Sequence, residues 1–187
     1  MVRKMMHADK DMVSMEMHER EEDWGSVLRE VTVFCSTFNT AVLDPTDQRF
    51  KEEAGRDWLF SSDTKASAKG KDIVVINLQE VVDLNNPYNL SYVGDITTNQ
   101  RVYTWEVALL DILNSDDTCA QYKMVASESL VGLAQFVYVA EALFEQVYDV
   151  RTTRLGCGFL RISGNKGAIG ISFTLYDAPL VFMNCHL

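Results

Sequence analysis

What the sequence lacks narrows the field first. Its four cysteines, Cys35, Cys119, Cys157 and Cys185, lie far apart, and no two form a C-x-x-C pair. That spacing offers neither a zinc site nor a disulfide framework. Cys35 and Cys185 sit in apolar runs and are expected to be small buried hydrophobes. Cys157 and Arg161 are too close together for the nucleophile loop of a cysteine-dependent phosphatase. No apolar run approaches the roughly 20 residues that a membrane-spanning helix requires. The opening Met-Val-Arg-Lys-Met-Met-His-Ala-Asp-Lys contains no apolar signal core, so the expected location is the cytoplasm. Basic residues are also scarce. Lys and Arg number 17 against 27 Asp and Glu, for a net charge of −10. This acidity argues against a general nucleic-acid binder, whose affinity comes from neutralising phosphates.

What is present describes a globular chain. Of the 187 residues, 47% are hydrophobic and 24% charged, enough for one domain with a sizeable core. Residues 1–30 form a polar lead-in, in which His7 and His18 have no companion ligands. Val31 to Phe38 is β-branched and aromatic, a predicted strand that delivers Asn39 at its end. Asn39 by itself suits a loop cap that bonds its own backbone. Asp47 to Leu59 reads as a short helix with Phe50, Ala54 and Trp58 on one side. Ile73 to Ile76 is unbroken and β-branched, as a strand buried on both faces would be, and it meets Gln79 and Glu80 where it surfaces. A carboxylate fixed at the end of a core strand is a rigid platform for a metal. Thr104 to Asn114 carries a wide apolar face and predicts a helix packed on a sheet. Tyr122–Ala126, Leu130–Ala140 and Val147–Thr153 read as extended, with a brief helix over Glu141–Gln146. Ala168–Tyr176 and Leu180–Cys185 read as a hairpin whose second strand delivers Asn184 and His186.

One window breaks the acidity. Val150 to Tyr176 contains no Asp or Glu, yet it holds Arg151, Arg154, Arg161, Lys166 and five glycines. Glycines admit backbone amides close to an anion and the cations supply countercharge, so the window is expected to face phosphate. It is not a nucleotide loop: Gly164-Asn-Lys-Gly has the wrong spacing for the G-x-x-x-x-G-K-S/T loop, and Gly156-Cys-Gly158 lacks a third glycine.

Four ordered segments go further: Phe-Cys-Ser-Thr-Phe-Asn39-Thr, Ile-Asn-Leu-Gln-Glu80-Val-Val-Asp-Leu-Asn, Gly-Asn165-Lys166-Gly-Ala-Ile, and Phe-Met-Asn-Cys-His186-Leu. Together they resemble the catalytic domain of the inositol polyphosphate 5-phosphatases, in the endonuclease/exonuclease/phosphatase superfamily. The likeness runs from about Val31 onward. It implies a DNase I-like α/β fold, two mixed β-sheets packed as a sandwich and flanked by helices. Residues 31–187 would then be the N-terminal part of such a domain, leaving strand edges and an apolar sheet face exposed. The resemblance also implies Mg²⁺ as cofactor, with Glu80 as ligand and Asn39 supporting the metal and phosphate end. Gln79 would neighbour that site. His186 would bond the scissile phosphate, and Asn165 and Lys166 would contact phosphate on the inositol ring or lipid headgroup. The implied substrate is an inositol phosphate or a phosphoinositide, the latter reached at a membrane surface. A nuclease or sphingomyelinase-like phosphodiesterase, and a non-catalytic phosphoinositide-binding module, are the competing expectations. Phe159-Leu-Arg-Ile-Ser163 departs from the family's Gly-Gly-Lys-Met-type run before Gly164.

Overall fold

The computed structural model describes residues 29–62, 67–85, 95–115, 120–157 and 166–186, with the backbone alone for 95–98. The chain divides into two units, Met1–Val31 and Thr32–Leu187, and the architecture below is that of the second.

The organising strand is the apolar run around Val75. Strand β1 (Val33–Asn39) pairs in parallel with β2 (Ile73–Gln79), matching Asn39 with Gln79. A π-helical turn (Phe50–Ala54) and a short helix α1 (Gly55–Leu59) lie between them in sequence. After β2 come helix α2 (Asp95–Leu113), β3 (Tyr122–Leu130) and β4 (Leu133–Ala140). β4 runs antiparallel to both β2 and β3, giving the order β1-β2-β4-β3 in a mixed sheet. A 3₁₀ turn (Glu141–Gln146) leads to β5 (Val147–Gly156), β6 (Gly167–Leu175) and β7 (Ala178–His186), an antiparallel sheet.

Alternation along β2 sorts its side chains between two layers. Val74, Ile76 and Leu78 join Trp105, Leu109, Ile112 and Leu113 of α2 and Phe136 and Tyr138 of β4 in one apolar cluster. Phe50 meets Trp105 edge to ring at 5.1 Å. The other side, with Ile73 and Val75, faces the second sheet, whose Ile169, Ile171, Phe173 and Leu175 are all buried. Each such side chain contributes about 1.5–3 kcal/mol of burial. The layers are therefore helix, sheet, sheet.

Three sequence expectations change. Leu130–Ala140 is not one strand: the chain turns at Val131, whose φ is 47°, and splits into β3 and β4. All eight residues of β4 are buried, so an apolar run continues through the turn and hides it. The helix expected from Thr104 begins at Asp95, because its first turns lack the apolar face that marks the rest. Cys35 and Cys185 are exposed, not buried. Alternation turns their neighbours Phe34 and Asn184 inward and leaves the thiols outside. Val181 and Met183 share the exposed face of β7 with Cys185.

Gly167 shows how closely the sheets approach. A Cβ there would run into the Leu155 carbonyl and lie 2.7 Å from Leu130 Cδ2. Gly167→Ala is expected to destabilise by about 2 kcal/mol through overpacking, read as a lower midpoint in urea unfolding.

Candidate active site

The parallel pairing of β1 and β2 brings Asn39, Gln79 and Glu80 to one end of the first sheet. Their loops are zipped together by backbone bonds. The Thr40 amide donates to the Gln79 carbonyl at 2.8 Å. The Glu80 carbonyl accepts from the Val42 amide at 2.9 Å and the Thr40 hydroxyl at 2.7 Å. The Val81 amide donates to the Gly132 carbonyl at 3.1 Å, fastening the same loop to the β3–β4 turn. Ala41, Val42 and Glu80 all adopt left-handed backbone, with φ of 46°, 66° and 56°. Side chains in that conformation cost about 1–3 kcal/mol each and cluster at functional sites.

The second sheet reaches this end through Asn184. Its amide is buried at 3% exposure, and Nδ2 donates to the carbonyls of Leu78 at 3.0 Å and Ala134 at 2.9 Å. Its Oδ1 accepts from Gln79 Nε2 at 2.8 Å, and Gln79 Nε2 also donates to the Thr37 hydroxyl at 3.0 Å. One side chain of β7 thus touches β2 and β4 and places the end of β7 over the end of β2. His186 lies two residues further on, partly buried and paired in register with Gly167. Its Nδ1 is buried without a hydrogen-bond partner among the described residues. Within the first sheet, Gln135 of β4 donates from Nε2 to its register partner Asn77 Oδ1 on β2 at 2.9 Å.

The residues named from sequence are therefore placed as follows. Asn39, Glu80 and His186 stand at the same end of the two sheets. Lys166 precedes Gly167 and stands at that end too, where its carbonyl accepts from the Cys157 amide at 2.8 Å. Asn165 and Arg161 lie outside the described residues. Arg151 and Arg154 are three apart on β5 and point to opposite faces of it, so these two cations of the acid-free window do not form one patch. Arg154 borders a groove with Glu106 and Glu128 instead. Asn39 Oδ1 accepts the Ala41 amide at 3.0 Å, the local cap that its residue type favours, and the amide nitrogen remains as a donor.

The donor set suits a hard cation. Among the described residues no three His, Cys, Asp or Glu side chains gather into a metal cage. One carboxylate at a strand end, with an amide oxygen nearby, matches an ion that keeps several waters and shares its remaining positions with phosphate. Sequence reasoning gave Asn184 no role beyond its position. The signal was available, because Leu180, Phe182 and Asn184 alternate inward, so a polar side chain points into an apolar layer.

The model of the endonuclease/exonuclease/phosphatase family 2 matches residues 36–187. The chain belongs to the endonuclease/exonuclease/phosphatase family. Its similarity to individual family members is moderate and extends over most of its length. It is 28% identical over 95% of its residues to inositol-1,4,5-trisphosphate 5-phosphatase 1 of Schizosaccharomyces pombe. It is 30% identical over 73% of its residues to human synaptojanin-1. These matches span 15% and 9% of the two relatives. The crystal structure of the inositol polyphosphate 5-phosphatase domain of SPsynaptojanin, in complex with inositol (1,4)-bisphosphate and calcium ion, superimposes with a TM-score of 0.69 at 27% identity. That match covers 95% of this chain and 46% of the other. The two sheets and flanking helices are thus the DNase I-like fold of this family.

Asn184→Leu keeps the shape of the side chain but removes the donor to two buried carbonyls and one of the two acceptors of Gln79 Nε2. It is expected to cost about 3 kcal/mol, measured as a lower urea midpoint at unchanged slope.

Proposed function

We propose that the intact protein is a Mg²⁺-dependent phosphomonoester hydrolase that removes the 5-phosphate of an inositol phosphate or phosphoinositide. The observation that carries this reading is the meeting of Glu80, Asn39 and His186 at one end of the two sheets. The similarity to 5-phosphatases supports it. So does a similar structure that holds an inositol bisphosphate and a divalent ion. The chain spans only part of these relatives, so the activity is proposed for the intact protein.

Each residue has a task that its chemistry allows. Glu80 supplies the anionic oxygens that hold the cation, on a loop too tightly bonded to swing away. Bound there, Mg²⁺ would neutralise phosphate oxygens and orient water for in-line attack. Asn39 donates from the amide nitrogen that its local cap leaves over, toward the phosphate. The His186 ring is held by β7, and its second nitrogen donates to a phosphate oxygen as charge builds there. A preorganised donor of this kind is worth about 3–4 kcal/mol in the transition state. Lys166 and Asn165, from the segment leading into β6, meet the remaining phosphates of the ring. A protein of net charge −10 needs such local cations to hold a polyanion. The enzyme works in the cytoplasm, at the membrane surface when its substrate is a lipid.

Glu80→Ala and His186→Ala are each expected to lower kcat for phosphate release by about 10²–10³ in the intact protein. Chelation with EDTA is expected to abolish release and added Mg²⁺ to restore it. Inositol phosphates, inositol lipids, DNA and RNA assayed together give the substrate class. Turnover confined to nucleic acid would replace this reading with a nuclease, and wild-type turnover in both variants would overturn the site.

A further inference from the structure

Arg101, near the start of α2, grips both loops of the candidate site from outside it. Its Nη2 donates to the Val42 carbonyl at 2.7 Å and the Leu43 carbonyl at 2.8 Å, and Nε donates to the Val81 carbonyl at 3.3 Å. Val42 and Leu43 follow β1, whereas Val81 follows Glu80. One planar group therefore bridges the two strand-end loops. Nη1 also lies 3.6 Å from the Asp44 carboxylate. Asp44 is 57% exposed, so this ion pair is worth little beside three bonds to backbone from a side chain only 22% exposed. Thr46, which donates to Asp44 through its amide and hydroxyl, holds that carboxyl below its ordinary range, and Arg101 acts in the same direction.

The loops need holding. Ala41, Val42 and Glu80 are left-handed, and for β-branched Val42 that backbone is a genuine outlier. The bonds from Val42 N and Thr40 Oγ1 to the Glu80 carbonyl secure the strained residues to each other. The Val81 amide fastens the Glu80 loop to the Gly132 carbonyl, which leaves the Ala41–Val42 loop with only its bonds to that loop and to β2. Arg101 ties both loops to α2, which is anchored in the core by Val102, Trp105 and Leu109. We infer that Arg101 is a positioning residue for Glu80, keeping its backbone in the left-handed conformation that sets how the carboxylate leaves the end of β2. The inference rests on the metal role proposed for Glu80. A lysine cannot replace it, because one ammonium does not reproduce a rigid fork that reaches carbonyls in two loops.

The test uses the intact protein with Arg101→Ala and Arg101→Lys, the latter keeping the aliphatic stem and the charge. Hydrogen exchange at the Thr40 and Val42 amides is expected to speed up in both, while amides of β6 keep wild-type rates. Mg²⁺ affinity by calorimetry is expected to fall by about tenfold or more, the usual scale for a group supporting a metal ligand. Added ethylguanidinium should restore part of that affinity in Arg101→Ala and none in Arg101→Lys. Wild-type Mg²⁺ affinity in both Arg101 variants, beside lost binding in Glu80→Ala, would overturn this inference alone. Wild-type binding in Glu80→Ala would overturn the metal reading, and this inference with it.

Discussion

The structure depends on a few buried hydrogen bonds across the gap between two sheets. Apolar contacts among Ile73, Val75, Ile169, Ile171 and Phe173 drive the layers together, but such contacts are non-directional and tolerate sliding. Asn184 does not. Its amide reaches two carbonyls on β2 and β4 and the Gln79 side chain at once. A shift of β7 by one residue would turn Asn184 out of the layer and leave those groups unpaired. The Gln135–Asn77 bond joins β4 to β2 and so fixes register within the first sheet, not between the sheets. Polar groups in this layer thus trade some burial energy for a single alignment of the sheets. That alignment sets where His186 stands relative to Glu80.

A second constraint acts at the strand ends. The strain at Ala41, Val42 and Glu80 is offset by the bonds that join the two loops and by the guanidinium of Arg101 behind them. A site built this way presents a carboxylate from a backbone with few alternatives, and such preorganisation is what electrostatic catalysis requires. Gln79, adjacent to Glu80 in sequence, is engaged by Thr37 and Asn184 and so serves the frame. Neighbouring residues divide the labour, Gln79 fastening the sheets and Glu80 taking the metal role proposed for it.

The described surface carries apolar side chains on one face of the second sheet. Val181 at 67% and Met183 at 62% exposure lie along β7, and Leu155 at 66% lies across the same sheet. β1 is the edge of its sheet, with Val33 and Cys35 open to solvent. Open edges and apolar rows of this kind are surfaces on which strands pair and proteins associate.

Much of the fold was legible from sequence because its signals are local. The β2 run, the 3₁₀ segment, the β6–β7 hairpin and the strand-end positions of Asn39, Glu80 and His186 needed only apolar patterning, and the order of the motifs carried the family resemblance. The β3–β4 turn was hidden by apolarity on both sides of Val131, and the burial of Cys35 and Cys185 was misjudged because an apolar run does not say which residue alternates inward. Arg101 left no trace at all, since its partners are carbonyls, which every residue possesses. Sequence by itself determined most of the extended segments and that Asn39, Glu80 and His186 stand at strand ends. Only tertiary structure decided that Asn184 bridges the sheets, that Arg151 and Arg154 part to opposite faces, and that Arg101 holds both loops. The bonds of Arg101 and Asn184 join residues about 20 to 106 positions apart, largely through backbone atoms, which no local pattern of side chains encodes.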